Sequence, residues 1–153
     1  MKKAVILDEI SIDRKIKRLS YEIFERNLNN KKLLLVGIKK NGFVLAKLIQ
    51  KELSEICKIK IDVTQVFVDK QKPFNEFVIY NNNIETYRNT SMIVIDDVCS
   101  TGKTMMYVVS SLISKFTNKI STLVLVDRKH HNFPIKTNYV GIEVSTTLRQ
   151  FIE

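Results

Sequence analysis

Two adjacent acids, Asp96 and Asp97, close an apolar run, and a short loop of small and hydroxyl-bearing residues follows, in the string MIVIDDVCSTGKT from Met92 to Thr104. Carboxylates accept hydrogen bonds from neighbouring hydroxyls. Backbone amides in a loop that opens a helix hold phosphate. Together these groups suit a sugar carrying a phosphate at one end. Ser100, Thr101 and Thr104 add hydroxyl donors. Gly102 lets the backbone approach a ligand closely, and Lys103 puts a charge in the helix's first turn.

The GKT at Gly102 to Thr104 invites comparison with the P-loop of nucleotide triphosphatases. That loop needs a second Gly five positions earlier, and Asp97 stands there. An acid at that point repels a polyphosphate. The plainer alternative is a structural strand ending in a solvated acid pair. A lone Asp-Asp would fit that alternative, but the whole string fits a ligand loop better.

The elements that must position these residues are legible from periodicity. Met92 to Ile95 is apolar without alternation, as in a parallel strand covered on both faces. Beyond Gly102 the apolar positions Met105, Val108, Val109, Leu112, Ile113 and Phe116 fall on one helical stripe. Ligands of α/β sheets sit at the carboxyl ends of strands, which is where the acids lie. Successive strand residues point to opposite faces, so the chain must turn at Asp96 and Asp97 if both are to serve one ligand.

Elsewhere the pattern predicts a strand at Ala4 to Leu7 and a helix from about Ile12 to Asn27 with Ile12, Ile16, Leu19 and Ile23 on one face. A strand at Leu33 to Gly37, a helix to about Ile56 and a strand near Ile59 to Phe67 follow. Further strands are expected at Phe77 to Tyr80, Ser121 to Val126 and Tyr139 to Ile142. Alternating strands and helices make an α/β fold with a parallel sheet and right-handed crossovers. The expected organisation is a single domain over residues 1–153, long enough to bury a core.

Hydrophobic content of 44% and charged content of 27% are ordinary for a soluble globule. No apolar run reaches membrane-spanning length and there is no secretory signal, so no membrane partner is expected. Cys57 and Cys99 lack metal or disulfide spacing, which suits a reducing cytoplasm. His130 and His131 suggest a metal with Asp127, but adjacent side chains diverge and no third ligand is obvious. The net charge of +9, from 25 basic and 16 acidic residues, would serve RNA binding or a multiply anionic substrate.

The string at Met92 to Thr104 resembles the phosphoribosyl-pyrophosphate (PRPP) motif of type I phosphoribosyltransferases. Three further segments resemble, more narrowly, the pyrimidine-operon attenuator proteins, which bind RNA and also act as uracil phosphoribosyltransferases. They are KKAVILDEISIDRKIKRLSYEIFERN at the start, LLLVGIKKNGFVLAKLI from Leu33 to Ile49, and LVDRKHHNFPIKTNYVG from Leu125 to Gly141. The resemblance spans nearly the whole chain except about Phe67 to Thr90.

It implies the type I phosphoribosyltransferase fold, a Rossmann-like core with a small hood formed by Pro134, Ile135 and the strand around Tyr139 to Ile142. It implies transfer of the 5-phosphoribosyl group from PRPP to a nucleobase, uracil foremost, with purine transfer and RNA-binding regulation as alternatives. By resemblance, Asp96 and Asp97 bind the ribose hydroxyls and Ser100, Thr101, Gly102, Lys103 and Thr104 bind the 5′-phosphate. Val98 and Cys99 complete that loop. Lys39, Lys40, Asn41 and Gly42 face the diphosphate, and Asp127 and Arg128 lie beside the base. Asp96, Asp97, Lys39 and Lys40 form the catalytic set, with Mg²⁺ held mainly by substrate oxygens rather than by protein side chains. Homo-oligomers are usual for such proteins, and nucleoside monophosphates are among the ligands implied.

The chain also departs from the family. Asn41 stands where an arginine is usual, and Lys40 is a point charge without arginine's fork. The matching place for the family's arginine-bearing mobile loop reads FVDKQKPF at Phe67 to Phe74, with Lys70 and Lys72 as substitutes. Ser100 replaces a tyrosine or aspartate. The sequence stops at Glu153, before the family's usual C-terminal strand.

Overall fold

The computed structural model describes residues 7–69, 78–80, 83–115 and 119–145. Six strands form one sheet in the order β3-β2-β1-β4-β5-β6. They are β1 (Lys32–Ile38), β2 (Lys60–Val68), β3 (Val78–Tyr80), β4 (Ser91–Cys99), β5 (Ile120–Arg128) and β6 (Tyr139–Val144). The helices are α1 (Glu9–Arg26), α2 (Lys39–Ile56) and α3 (Lys103–Lys115). Five strands run parallel. Only β3 departs, pairing antiparallel with β2 through Val66↔Tyr80 and Val68↔Val78. An antiparallel edge strand on a parallel sheet is a common variation.

The apolar strands read as they do because each feeds two cores. Leu33 and Leu35 of β1 join Ile93 and Ile95 of β4 in a cluster with α1 and α2. Leu34, Val36 and Ile38 join Met92 and Val94 in a second cluster with α3. Period-two alternation thus distributes one continuous apolar run between opposite faces, and nothing polar is tolerated in it. Removing one such side chain, Leu34→Ala for instance, should cost about 2–5 kcal/mol.

Helix α1 begins earlier than Ile12 because Asp8 caps it: the Ser11 amide donates to Asp8 Oδ1 at 2.8 Å. Ile16, Leu19 and Ile23 are buried as expected. On α3, Met105, Val108 and Leu112 are buried while Ile113 is exposed, so the stripe is narrower than the sequence suggests. Most of the N-terminal strand expected at Ala4 to Leu7 lies outside the described residues, as do Phe116, Lys70 and Lys72. Leu7 itself belongs to no element.

The strand assigned to the hood, Tyr139 to Ile142, instead runs in the main sheet as β6. Tyr139 is buried in the core. A Cβ on Gly141 would meet the Leu125 carbonyl oxygen at 2.3 Å, so β6 packs against β5 too closely for any side chain there. Arg18 of α1 holds it from outside, donating to the carbonyls of Val140 at 3.1 Å and Gly141 at 2.7 Å. The connecting segment 129–138 between β5 and β6 has no regular structure.

Candidate functional site

A pocket of 360 Å³ opens at the carboxyl ends of β1 and β4, lined by Lys39, Asn41 and the unbroken run from Asp96 to Met105. Two helices start there. Helix α2 begins at Lys39 straight out of β1, with no side chain capping its first turn and no acid in it. Helix α3 begins at Lys103 and likewise has no acid in its first turn. Helix-start amides and the positive end of the helix dipole favour anions, and the pocket receives two such starts.

Two glycines bring the helix start against the acids. A Cβ on Gly37 would stand 2.5 Å from Phe43 Cα, and one on Gly42 would stand 2.5 Å from the Ile95 carbonyl oxygen and 3.3 Å from Asp96 Cα. The first turn of α2 therefore lies on β4 immediately before Asp96. Lys39 holds φ of 54°, a left-handed conformation that a side-chain-bearing residue adopts only where its surroundings enforce it. Its carbonyl accepts a hydrogen bond from Gln65 Nε2 at 3.1 Å.

Strand β4 does not end at the acids but runs through them to Cys99. The expected turn between Asp96 and Asp97 is replaced by a local bond: the Asp97 amide donates to Asp96 Oδ1 at 2.9 Å. Asn41 Nδ2 donates to Asp97 Oδ2 at 3.0 Å, tying the α2 start to the acid pair. Asn41 thus occupies its place as a hydrogen-bond donor to protein. Burial, and then the adjoining Asp97 carboxylate, push the Asp96 carboxyl up to about 8, with the Lys39 charge opposing. Burial and Asp97 thus favour the protonated form of Asp96 near neutral pH.

The loop after β4 turns at Gly102, whose φ is +85°. The Lys103 amide donates to Thr101 Oγ1 at 3.2 Å. Lys40 is exposed at the α2 start and is not among the pocket-lining residues, whereas Gly42 is buried behind it. The pocket's carboxylate and hydroxyl oxygens are the hard donors that Mg²⁺ accepts.

Asp127 and Arg128 end β5 on the far side of the loop and do not line this pocket. Asp127 is buried. Its Oδ2 accepts from Thr137 Oγ1 at 2.6 Å, and its Oδ1 lies 2.5 Å from His131 Nε2. His130 is exposed, so the two histidines do diverge. The third group that the sequence left unidentified is Cys99, whose thiol lies in the same cluster. Burial, then the charges of Asp127 and Asp96, push that thiol up to about 12. Nothing in local spacing signals this cluster; it follows from the β4–β5 register, which sets Cys99 beside Asp127.

The segment after β5 is fastened to the loop between β4 and α3. The amides of Asn132 and Phe133 both donate to the Thr101 carbonyl, at 3.0 and 3.1 Å. A Cβ on Gly102 would meet Ile135 Cγ2 at 2.6 Å. Among the described residues, no helix is long and apolar enough to cross a membrane.

Residues 5–151 match the family model for the phosphoribosyl transferase domain. The bifunctional protein PyrR of Streptococcus agalactiae is 35% identical over 152 residues, covering 96% of this chain and 86% of that protein. The PyrR protein of Clostridium kluyveri is 33% identical over 156 residues, covering 98% and 88%. Among solved structures, a hypoxanthine phosphoribosyltransferase from Staphylococcus aureus has a TM-score of 0.77 at 22% identity, covering 93% of this chain and 78% of that one. The hypoxanthine phosphoribosyltransferase of Trypanosoma cruzi has a TM-score of 0.80 at 15% identity, covering 93% and 82%. These two structures share the fold.

Proposed function

The chain belongs to the phosphoribosyl transferase domain family and, within it, to the PyrR proteins, and on that footing we propose that it moves the 5-phosphoribosyl group of PRPP onto uracil, releasing pyrophosphate. The observation that carries this is the convergence of two acid-free helix starts and an acid pair on one pocket. PRPP carries a monophosphate at C5 and a diphosphate at C1 of a ribose bearing two free hydroxyls. Two anion sites flanking carboxylate acceptors match that order of groups. The whole proposed domain, residues 1–153, acts as one catalytic unit.

In this reading the 5′-phosphate lies on the loop from Val98 to Thr104, at the start of α3. Asp96 and Asp97 take the ribose hydroxyls. The diphosphate faces the α2 start, with Lys39, Asn41 and Gly42 beside it and Lys40 contributing charge from the surface. Asp127 and Arg128 stand on the base side. A nitrogen–C1 bond forms as the C1–oxygen bond to diphosphate breaks, and the proton of the base nitrogen passes to solvent. Positive charge builds on the sugar ring in such a transition state. The residues here fix the ribose and stabilise the departing diphosphate. Mg²⁺, when bound through the diphosphate oxygens, supplies further charge neutralisation. No protein group is assigned as a base, which suits an acceptor that ionises readily, such as uracil.

Pyrophosphate release from PRPP and Mg²⁺ should occur with uracil and not with hypoxanthine, guanine, xanthine, adenine or orotate. Release with a purine alone would replace uracil by that base. The hypoxanthine enzymes share only the fold at this identity and do not weigh on the base.

A second function rests on the net charge of +9 and on the attenuator resemblance: RNA binding by the basic surface. Retention that falls steeply with salt and favours one hairpin would support it. Equal retention of any polyanion would reduce it to surface charge.

A further inference from the structure

Cys99, Asp127 and His131 come from the end of β4, the end of β5 and the segment beyond β5, and meet beside the pocket. One ligand atom from each, the Cys99 thiol sulfur, an Asp127 carboxylate oxygen and a His131 ring nitrogen, lies within 4.8 Å of the other two. This is the one such group among the described residues. We propose that the trio is a binding site for a borderline-soft divalent cation of the Zn²⁺ class, distinct from the Mg²⁺ carried by substrate.

The donor set supports that class. Sulfur, imidazole nitrogen and carboxylate oxygen together select Zn²⁺ over Mg²⁺, which takes oxygen alone. With bonds of about 2.0–2.3 Å, ligand atoms across a tetrahedral centre stand about 3.3–3.8 Å apart. The three atoms lie within 4.8 Å of one another, and the Asp127–His131 contact at 2.5 Å has to widen to admit an ion. As the metal–sulfur bond forms, the thiol gives its proton to solvent.

The surroundings are those of a supported ligand set. Thr137 Oγ1 holds Asp127 Oδ2 at 2.6 Å, leaving Oδ1 turned toward His131. Such outer contacts fix a carboxylate ligand's direction. Cys99 and Asp127 are register partners on adjacent parallel strands, so two of the three ligands sit on rigid elements. The third, His131, is anchored next door by the Asn132 and Phe133 amides on the Thr101 carbonyl. Three protein ligands leave a fourth position open. An ion there would pin the ribose-phosphate loop to the base-side segment, and any effect on turnover rests on the transferase reading. The binding itself does not.

The test is titration of the full chain with Co²⁺ alone, followed by displacement with Zn²⁺. One equivalent should bind with a thiolate-to-cobalt charge-transfer band that Zn²⁺ abolishes and Mg²⁺ leaves intact. Cys99→Ser should lose the band, Cys57→Ser should keep it, and His131→Ala, which removes a direct ligand, should weaken binding by more than the roughly 10–100-fold typical of losing an outer contact. Thermal melts report whether each variant folds. Should Cys99→Ser not fold, His131→Ala decides, since it lies outside the regular elements. Absence of the band in the wild-type chain, its survival in Cys99→Ser, or unchanged affinity in His131→Ala would overturn the proposal.

Discussion

At the proposed phosphate end, the pocket offers backbone amides at two helix starts, placed by strands β1 and β4 in the middle of the sheet. At the proposed base end, Asp127 and Arg128 close β5 beside a connection without regular structure, held by Thr137, His131 and two amides on Thr101. The first end is built on elements buried on both faces. The second leans on contacts between residues far apart in sequence. The lesson is that a site made of strand ends and helix starts inherits the rigidity of the core, whereas a site made of a connection depends on each of its few bonds.

The contrast can be broken first at the acids. Asp96→Asn with Asp97→Asn should lower turnover by about 10²–10³-fold or more while the melting temperature stays near that of the parent. A comparable loss from Thr137→Val would mean the two ends are not different in kind. Lys39→Ala should cost about 10–100-fold in turnover, the worth of a charged hydrogen bond, read in steady-state kinetics with the pyrophosphate inhibition constant as the companion readout.

The glycines separate stability from function. Gly42→Ala and Gly141→Ala both force a Cβ into a backbone carbonyl, at 2.5 and 2.3 Å, and each should cost about 1–3 kcal/mol in urea unfolding. Only Gly42→Ala should also raise the KM for PRPP. Equal KM effects would disconnect the α2 start from the diphosphate.

Asp96 gives a pH signature at the phosphate end. Its folded value of about 8 lies above the ordinary value of 3.8, so the folded state holds a proton that the unfolded chain has released between those limits. Its contribution to stability is full below the lower value and is lost as pH rises through the upper one. Asp96→Asn should therefore flatten the decline in unfolding free energy between the ordinary value of 3.8 and about 8, the accumulated difference being complete above that window. Identical pH profiles would refute the protonated state. The smallest effect expected is from Thr137→Val: a few-fold rise in the KM for uracil, with that for PRPP unchanged.

Much of this was legible in the sequence, for reasons that follow the same contrast. The run Leu33 to Val36 must be apolar at every position because alternate residues enter different cores, so the strand is visible without its partners. Gly102 and the acids before it are visible because a tight strand-to-helix loop constrains residue types locally. The Cys99–Asp127–His131 cluster was not, because it depends on the register of β4 against β5, which no local pattern states. Asn41's bond to Asp97 was equally hidden: the sequence shows a missing arginine, while the fold shows a donor to protein in its place. The hood assignment of Tyr139 to Ile142 rests on the resemblance alone, and the fold places that strand in the sheet as β6. Its burial rests on Arg18 and Gly141, one distant in sequence and the other uninformative alone.

The most direct measurement is calorimetric titration of PRPP with Mg²⁺ into the wild-type chain and into the Asp96→Asn, Asp97→Asn double variant. Saturable binding by the wild-type chain that disappears in a folded double variant is the expected result. Equal affinity in the two proteins would contradict the assignment of the acid pair to the ribose, and with it the placement of PRPP between the two helix starts.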